Sequence, residues 1–570
     1  MRGACFAILM RKHFKHSGQW IAAALFAAGF ALVFRRWLFS GFDAAFGDDE
    51  DGYLALALIE HWRHVLSGAV HWTDPIFFFP HHGVLGYTDA FFLFGVAHAL
   101  LRLAGVDPFT ALMLVMAGFS AIGFFGFRRL AARHFAIPPA YAAVGAFLFA
   151  FANMDAVKLI HIQAYSAMLL PSLCDLVLSG WNSKHRGAVL GGAAGLLYSA
   201  LFLTAFQTAW FFGLFLLLLV LLHPAICGQE KSRDLVREMM TSRRSLIVAA
   251  VLAFAAGIVP FLTLYLPVFL AGHSRDFAEV ASNMPEWSDL ANVTPENAVW
   301  GNALQRLGVT GQADDPVWEA ELGFTPAVLA VFILGFALLV MRMRHPPGSP
   351  GSAALPSAAC ARGLARRAGG DDRVVVLLGA AVIILWLLQM DYFGVRPWRA
   401  IWAAVPGAQA IRYTFRSQLV ANLFVAIVVA RVLAASASAR VWTQLLCAVL
   451  IVEQVNLAWP AVMSRRVALA WIDVPPPPEG CRIFYVSPHA GPPDRTGPQH
   501  QDDAMLLAEI RGIPTVNGYS SWFPSGWALH DPANPDYAGA VRSWADRNGI
   551  AQGLCGLEPR AGAWTPGPPQ

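Results

Sequence analysis

The stretch 207-QTAWFFGLFLLLLVLLH-223 contains no Asp, Glu, Lys or Arg. A helix needs about 20 predominantly apolar residues to cross the hydrocarbon core of a bilayer, and this run is typical of such a helix. The whole chain of 570 residues has the same character, because 56% of it is hydrophobic and only 14% is charged. Soluble proteins carry roughly 25% charged residues, and disordered chains combine low hydrophobicity with high charge. The composition therefore excludes both classes and indicates a polytopic membrane protein.

Other apolar runs of similar character are spread along the chain. The first of them, 19–34, follows Lys12 and Lys15 and is followed by Arg35 and Arg36 instead of a small-residue cleavage site. It is therefore interpreted as an uncleaved anchor with a cytoplasmic N-terminus. With 207–223, the runs make twelve candidates: 19–34, 89–104, 108–127, 138–153, 157–179, 187–205, 245–270, 321–342, 373–390, 416–436 and 441–460.

The distribution of Arg and Lys predicts the topology, because cytoplasmic loops hold the excess of these residues. Segments 224–245 and 343–373 are rich in basic residues and are predicted to be cytoplasmic, the second as a flexible linker rich in Pro, Gly, Ser and Ala. The loops 40–88, 271–320 and 391–415 are predicted to lie outside.

The number of crossings follows from the two ends of the chain. A cytoplasmic N-terminus and an outer C-terminus require an odd number, whereas the runs number twelve. The surplus lies between 89 and 155. Either one segment there enters the membrane without crossing it, or the stretch 138–179 is broken near Asn153 and Asp155. We predict eleven crossings.

The tail differs in kind from the rest. We predict a transmembrane domain over 1–464 and a small extracytoplasmic α/β domain over 465–570, with 475-PPPP-478 as a stiff spacer. Cys481 and Cys555 lie near its first and last predicted strands, where they either form a disulfide or stay as buried thiols. The overall fold class is then mainly α, a polytopic bundle of about 11–12 transmembrane helices with this domain appended. Its predicted elements are strands at 481–487 and 550–556, a strand and turn at 513–523, and helices at 499–511 and 536–548.

The first outer loop, 43-DAAFGDDEDGYLALALIEHWRHVLSG-68, contains four consecutive acids, Asp48, Asp49, Glu50 and Asp51. The amphipathic stretch that follows at 53–66 predicts a helix lying along the membrane interface, which holds the acids near the surface. Carboxylates there suit general-base chemistry or a hard cation such as Mg²⁺ or Mn²⁺, with Asp48 and Asp51 as ligands. The alternative is that the acids cap the positive N-terminus of the helix.

Two polar residues begin an apolar run in 160-IHIQAY-165. His161 and Gln163 are placed to reach an outer cavity shared with the acidic loop, and an interhelical hydrogen bond is an equally good interpretation. In the loop before residue 416, Arg412 and Arg416 stand on the predicted outer side, against the usual bias. Their i,i+4 spacing predicts a shared helix face and a clamp for phosphate; the alternative is that they reach to lipid headgroups.

Several motifs carry a resemblance. Acids after the first helix, an interfacial helix, many further helices and a small outer domain together resemble the GT-C superfamily of membrane glycosyltransferases. A closer likeness is to a group of bacterial multi-pass proteins. It lies in the motifs 47-GDDEDGY-53, 60-EHW-62, 72-WTDPIFFFP-80, 85-LGYTDAFF-92, 102-RLAGVDPFTA-111 and 516-VNGYS-520.

The resemblance implies a polyprenyl-phosphate sugar donor and transfer of its sugar to a glycan, lipid or protein acceptor on the outer face of the bacterial inner membrane. Asp48 and Asp51 then accept the proton of the acceptor or hold a divalent cation. Arg412 and Arg416 neutralise the leaving phosphate. Glu50, His161 and Gln163 complete the list of residues expected to bind substrate.

Two other functions remain open from the residues alone. A transporter or flippase for a lipid-linked cell-envelope precursor predicts duplicated halves, and the acidic element has no counterpart in the second half of the chain. A non-catalytic assembly protein would use the outer domain to bind a partner. Nucleic acid is not an expected partner, because no basic stripe with interleaved aromatic residues occurs outside the apolar runs.

Overall fold

The computed structural model describes residues 2–157, 161–183, 185–310, 320–344, 372–437, 439–457, 462–488 and 495–569. The predicted linker 343–373 lies almost entirely outside the described residues. The described part is mainly helical, with short strands near the acidic loop and in the C-terminal region.

The α-helices are α1 Arg2–Val33, α2 Arg35–Phe39, α3 Asp51–Leu66, α4 Phe92–Leu103, α5 Pro108–His134, α6 Pro139–Ala150, α7 Asn153–Val157, α8 Leu170–Trp181, α9 Gly187–Thr204, α10 Phe206–Cys227, α11 Gln229–Met240, α12 Arg244–Gly257, α13 Val259–Leu270, α14 Phe277–Ser282, α15 Gly301–Arg306, α16 Pro326–Arg344, α17 Asp372–Gln389, α18 Trp398–Ala404, α19 Gln418–Ala435, α20 Arg440–Val452, α21 Arg465–Ile472, α22 Gly497–Arg511 and α23 Tyr537–Asn548. The strands are β1 Ala44–Phe46, β2 Val462–Ser464, β3 Ile483–Val486, β4 Leu554–Glu558 and β5 Ala563–Thr565. Short 3₁₀ helices cover Val84–Tyr87, Ile162–Leu169, Ser288–Ala291, Ala408–Ala410 and Thr414–Ser417.

Seven helical stretches within the described residues are long and apolar enough to cross a membrane. They are Pro108–His134, Ile162–Trp181, Gly187–Thr204, Phe206–Cys227, Pro326–Arg344, Asp372–Gln389 and Thr414–Ala435. The pair α11 and α12, bent by 73°, makes an eighth if it is one span. The apolar helices Gly18–Val33, α4, α13 and α20 are shorter. The predicted polytopic helical bundle is confirmed, and the predicted eleven crossings stay a prediction.

The predicted interruption of 138–179 is present. Helix α6 ends at Ala150 after 12 residues, which rise about 18 Å at 1.5 Å per residue, less than the roughly 30 Å of a bilayer core. The five-residue α7 follows, and a 3₁₀ helix that begins at Ile162 leads into α8. The break places His161 at the start of a new helical stretch.

The C-terminal region contains a three-stranded sheet in the order β3-β4-β5, in which β3 and β4 are parallel and β4 and β5 antiparallel. Cys481 and Cys555 form a disulfide with their Cα atoms 5.7 Å apart, which decides between the two predicted alternatives. The predicted strand and turn at 513–523 is confirmed only in part: Thr515 forms a single bridge to Phe484, and no longer strand forms in this stretch. Pro514 supplies no N–H for a ladder, and the residues after Val516 form an irregular loop. Strand β5 was not predicted.

Helix α3 joins the membrane helices to the C-terminal region, because it packs between α4 and α22. The predicted amphipathic helix exists, but its polar side is covered as well as its apolar one. Glu60 is fully buried and pairs with Arg63 and Arg102. The Arg63 guanidinium donates to the backbone carbonyl of Glu509 at the end of α22. The amphipathic periodicity of 53–66 predicts this helix. No local pattern in the sequence indicates that the distant helix α22 covers its polar face.

Candidate functional site

The acidic loop begins where a small sheet ends. Strand β1 pairs antiparallel with β2, so the chain entering the loop is tied to the segment that leads into the C-terminal region. After Phe46 the chain turns at Gly47, whose φ is +102°. A Cβ atom at Gly47 would lie 2.6 Å from the Cα atom of Gly52, so this close approach requires glycine.

Asp48 stabilises the start of helix α3. The backbone N–H groups of Glu50 and Gly52 donate to its Oδ1 atom at 3.1 and 3.0 Å. These bonds satisfy amides that have no partner inside the helix. The capping interpretation of the acidic loop is therefore confirmed for this residue. One carboxylate oxygen of Asp48 is committed to backbone amides.

Asp49 ties the loop to the C-terminal region. Its carboxylate accepts from Nη1 of Arg495 at 2.8 Å, and the same guanidinium donates to Asp503 on α22 at 2.9 Å. Asp503 is also held by Arg560, which donates from Nε at 2.9 Å. A capping box between Thr496 and Gln499 fixes the N-terminus of α22. The acidic loop is thus clamped onto a well-capped helix.

Asp51 pairs with His161, one of the predicted substrate-binding residues. Its Oδ2 atom lies 3.3 Å from Nδ1 of His161. The Asp51 side chain is 46% exposed and that of His161 is 21% exposed. The pair is therefore both oriented and accessible, which is what a general base needs.

His161 also lines a cleft, and so do two other residues singled out in the sequence, Gln163 and Arg416. The empty volume of the cleft, including space open to solvent, is about 390 Å³. Nη1 of Arg416 donates to Oε1 of Gln207 at 3.3 Å. The lining is completed by three further polar residues and by apolar ones: Asp89, Gln207, Thr208, Ala164, Ala205, Phe211, Leu322 and Leu419.

Arg412 stands apart from that cleft wall. The prediction that Arg412 and Arg416 share one helix face is wrong, because the 3₁₀ helix begins at Thr414 and Arg412 lies in the irregular segment before it. Arg412 pairs instead with Glu279 at 3.2 Å. Both guanidinium groups nevertheless lie over the ring of Tyr413, at 5.0 and 5.2 Å from its centroid. The aromatic ring keeps the two cations together by cation–π attraction.

The acids do not assemble a cation site. Within the described residues there is no group of three or more His, Cys, Asp or Glu side chains that could hold a metal ion. Asp48 is used by backbone amides, and Asp51 is turned toward His161. Burial, together with the neighbouring charges of Asp51 and Asp48, raises the pKa of Glu50. The predicted Mg²⁺ or Mn²⁺ ligation by Asp48 and Asp51 does not fit this arrangement, and we derive no step through a metal.

One notable acid in the C-terminal region was not among the residues predicted from the sequence. Asp502 on α22 is fully buried, and neither of its carboxyl oxygens has a hydrogen-bond partner among the described residues. Burial first, then the charges of Asp51 and Glu50, raise its pKa well above the ordinary range. Only the adjacent pair Asp502 and Asp503 directly before the apolar run 504-AMLLA-508 could have signalled it.

The histidine pair of the first outer loop does not join the site. His81 bonds to the Tyr87 hydroxyl at 3.0 Å. His82, whose side chain is 86% exposed, pairs with Asp74 at 2.8 Å. The two rings therefore have different partners.

No family model and no curated protein matches the sequence. Among solved structures, the oligosaccharyltransferase of Archaeoglobus fulgidus in complex with Zn and sulfate is 15% identical, with 93% of this chain and 66% of that chain covered at a TM-score of 0.47. The same archaeal enzyme, AglB, with an inhibitory peptide and a dolichol-phosphate, is 13% identical, covering 95% and 69% at 0.45. ArnT from Cupriavidus metallidurans bound to undecaprenyl phosphate is 14% identical, covering 88% and 85% at 0.35.

These neighbours are GT-C superfamily membrane glycosyltransferases, the class that the sequence resemblance named. The chain spans about two thirds of the length of the oligosaccharyltransferase that it resembles. At identities of 15% or less and TM-scores below 0.5, neither site residues nor an activity transfer to this chain. The function has to be argued from its own side chains.

Proposed function

We propose that the protein is an integral membrane glycosyltransferase that moves a sugar from a polyprenyl-phosphate donor to an acceptor. The observation that carries this proposal is the pair of Asp51 and His161 beside a cleft that also contains Arg416. A glycosyl transfer needs a base near the acceptor and a positive charge near the leaving phosphate. An oriented, accessible carboxylate and a guanidinium at one cleft supply these two groups. One end loses a proton, and the other end gains the charge of a leaving phosphate.

The reaction then proceeds as a direct displacement. Asp51 accepts the proton of an acceptor hydroxyl or amide while the acceptor atom forms a bond to the anomeric carbon of the sugar. The bond from that carbon to the phosphate oxygen breaks, and its electron pair stays on the polyprenyl phosphate. Arg416 neutralises the charge that develops there, and Arg412, whose guanidinium also lies over the Tyr413 ring, adds positive charge. A single displacement inverts the anomeric configuration.

Asp48 takes a positioning role in this proposal. Because its Oδ1 atom accepts two backbone N–H groups, it fixes the turn from which Asp51 projects. His161 orients the carboxylate of Asp51, and Gln163 contributes a polar group to the cleft wall. Glu50, whose pKa is raised by burial and by the charges of Asp51 and Asp48, keeps the substrate-binding role that the resemblance implies.

The proposed setting is the bacterial inner membrane, with the site and the C-terminal region on the outer face. The disulfide between Cys481 and Cys555 supports this side, because disulfides persist in oxidising compartments. The scarcity of basic residues in the loops 40–88 and 271–320 supports it as well.

The test is a transfer assay with the full chain in lipid nanodiscs. The donors are undecaprenyl phosphates carrying tritium-labelled glucose, mannose or galactose, and the acceptor is a bacterial envelope extract. Label in the extract and released undecaprenyl phosphate are both measured. Transfer by the wild type that Asp51→Asn abolishes and Asp391→Asn leaves intact supports the proposal, since Asp391 is a loop carboxylate that pairs with Arg396. Movement of labelled lipid across sealed vesicles without any glycosylated product would identify a transporter instead.

A further inference from the structure

The loop 516-VNGYS-520 is held in one conformation by buried contacts. The Asn517 side chain donates to Oε1 of Gln501 at 2.9 Å and to the Tyr537 hydroxyl at 3.0 Å, and accepts from the backbone N–H of Val486 at 2.8 Å. The next residue, Gly518, lies so close to Phe78 that an added Cβ would be 2.7 Å from the ring. Such satisfied buried networks rigidify their surroundings, so the position of the following residue, Tyr519, is well defined.

The same loop touches the segments that border the cleft. The Ser520 hydroxyl donates to the backbone carbonyl of Tyr87 at 3.0 Å, two residues before Asp89 in the cleft wall. Further along, the Arg275 guanidinium lies over the Trp522 ring at 4.8 Å.

Arg275 connects this contact to the arginine side of the site. It pairs with Glu279 at 3.0 Å, and Glu279 pairs with Arg412 at 3.2 Å. The loop therefore contacts the segment before Asp89 and is linked through Arg275 and Glu279 to Arg412.

Tyr519 projects from the middle of this loop. It is partly exposed, and the charged groups that act on it are the acids Asp502, Asp51 and Glu50 and the guanidinium of Arg412. The backbone N–H of Tyr519 points to Met505 Sδ at 3.0 Å, whereas its phenol hydroxyl makes no hydrogen bond within the described part of the chain. An accessible, unused donor thus lies in the same region as the proposed base and Arg412.

We propose that Tyr519 contacts the substrate and donates a hydrogen bond from its hydroxyl to the phosphate of the lipid-linked donor. This inference rests on the proposed glycosyltransferase function and adds a residue of the C-terminal region to its site. A phosphate that approaches next to carboxylates is repelled by them, and a neutral donor on that side offsets part of the repulsion. Burial, with the acids next, raises the pKa of Tyr519 and keeps the phenol protonated at neutral pH.

The experiment measures binding of undecaprenyl phosphate and of undecaprenol, which lacks the phosphate, to the full chain in nanodiscs. Tyr519→Phe removes only the hydroxyl, and Ser521→Ala changes an exposed residue of the same loop. A hydrogen bond to a charged group contributes enough that its loss weakens binding about tenfold. We therefore expect Tyr519→Phe to bind undecaprenyl phosphate about tenfold more weakly and undecaprenol as the wild type does. Ser521→Ala should bind both lipids normally.

The outcomes separate this inference from the function on which it rests. If Arg416→Ala weakens binding of undecaprenyl phosphate and Tyr519→Phe does not, the role of Tyr519 is refuted and the proposed function stands. Equal weakening of both lipids by Tyr519→Phe would show a structural effect of the loop and also refute it. A wild type that does not distinguish the two lipids contradicts the proposed function and this inference together.

Discussion

Oδ2 of Asp51 lies 3.3 Å from Nδ1 of His161, although the two residues belong to different parts of the chain. Asp51 opens helix α3, and His161 immediately precedes the 3₁₀ helix that follows the break after α6. Their contact therefore joins the acidic loop to the cleft that His161 lines. This relationship makes Asp51, rather than Asp48, the carboxylate best placed for chemistry.

Asp51→Asn should reduce sugar transfer by roughly 10²–10⁴-fold, the usual contribution of a general base. The amide is nearly isosteric but does not accept a proton, so folding and lipid binding should persist. The nanodisc assay, read as the initial rate of undecaprenyl phosphate release, checks this prediction. Asp391→Asn is the matched control. A rate in Asp51→Asn within a factor of two of the wild type would rule out the base role.

His161→Ala should slow transfer by about ten- to a hundredfold, because a hydrogen bond to a charged group contributes about 1.5–3 kcal/mol. His161→Asn retains a short donor near Asp51 and should recover part of the lost rate. The expected signature is a fall in kcat with little change in KM for the donor. Should Ala and Asn substitutions have identical effects, orientation of Asp51 would not be the function of His161.

Local features of this site are readable in the sequence, because they depend on neighbouring residues. Asp48 and the amides of Glu50 and Gly52 form one turn, and the resulting cap was among the predicted alternatives. The break near Asn153 could be predicted too, since polar residues interrupt an apolar run. Helices α22 and α23 lie within about two residues of their predicted bounds.

Features made by distant segments could not be read in this way. The i,i+4 spacing of Arg412 and Arg416 suggested one helix face, and the observed backbone places Arg412 before the helix, where it pairs with Glu279. The burial of Asp502 depends on α22 packing against α3, which no local pattern encodes. Periodicity reports the faces of a helix, whereas its partners are set by the tertiary fold.

Asp48→Ala should lower the stability of the fold more than it lowers the rate of sugar transfer by the folded protein. Loss of an N-terminal capping side chain costs about 0.5–2 kcal/mol, so the melting temperature in nanodiscs should fall by a few degrees. Asp48→Asn keeps an acceptor oxygen for the amides of Glu50 and Gly52 and should behave almost as the wild type in both melting and transfer. Loss of transfer in Asp48→Asn with an unchanged melting temperature would instead place Asp48 in the chemistry.

The buried carboxyl of Asp502 should make stability depend on pH. Burial, followed by the charges of Asp51 and Glu50, raises its pKa in the folded protein well above the ordinary value of 3.8. The folded state therefore binds this proton more tightly than the unfolded state, and stability falls as pH rises above about 4 until the folded pKa is passed. Asp502→Asn removes that dependence, so it should melt at a higher temperature than the wild type at pH 8 and the two should converge near pH 4. Asp473→Asn, at a carboxylate whose side chain is 80% exposed, is the control that should follow the wild type throughout. Melting curves at intervals between pH 4 and pH 9 measure the effect, and a constant difference between wild type and Asp502→Asn across that range would contradict a neutral Asp502.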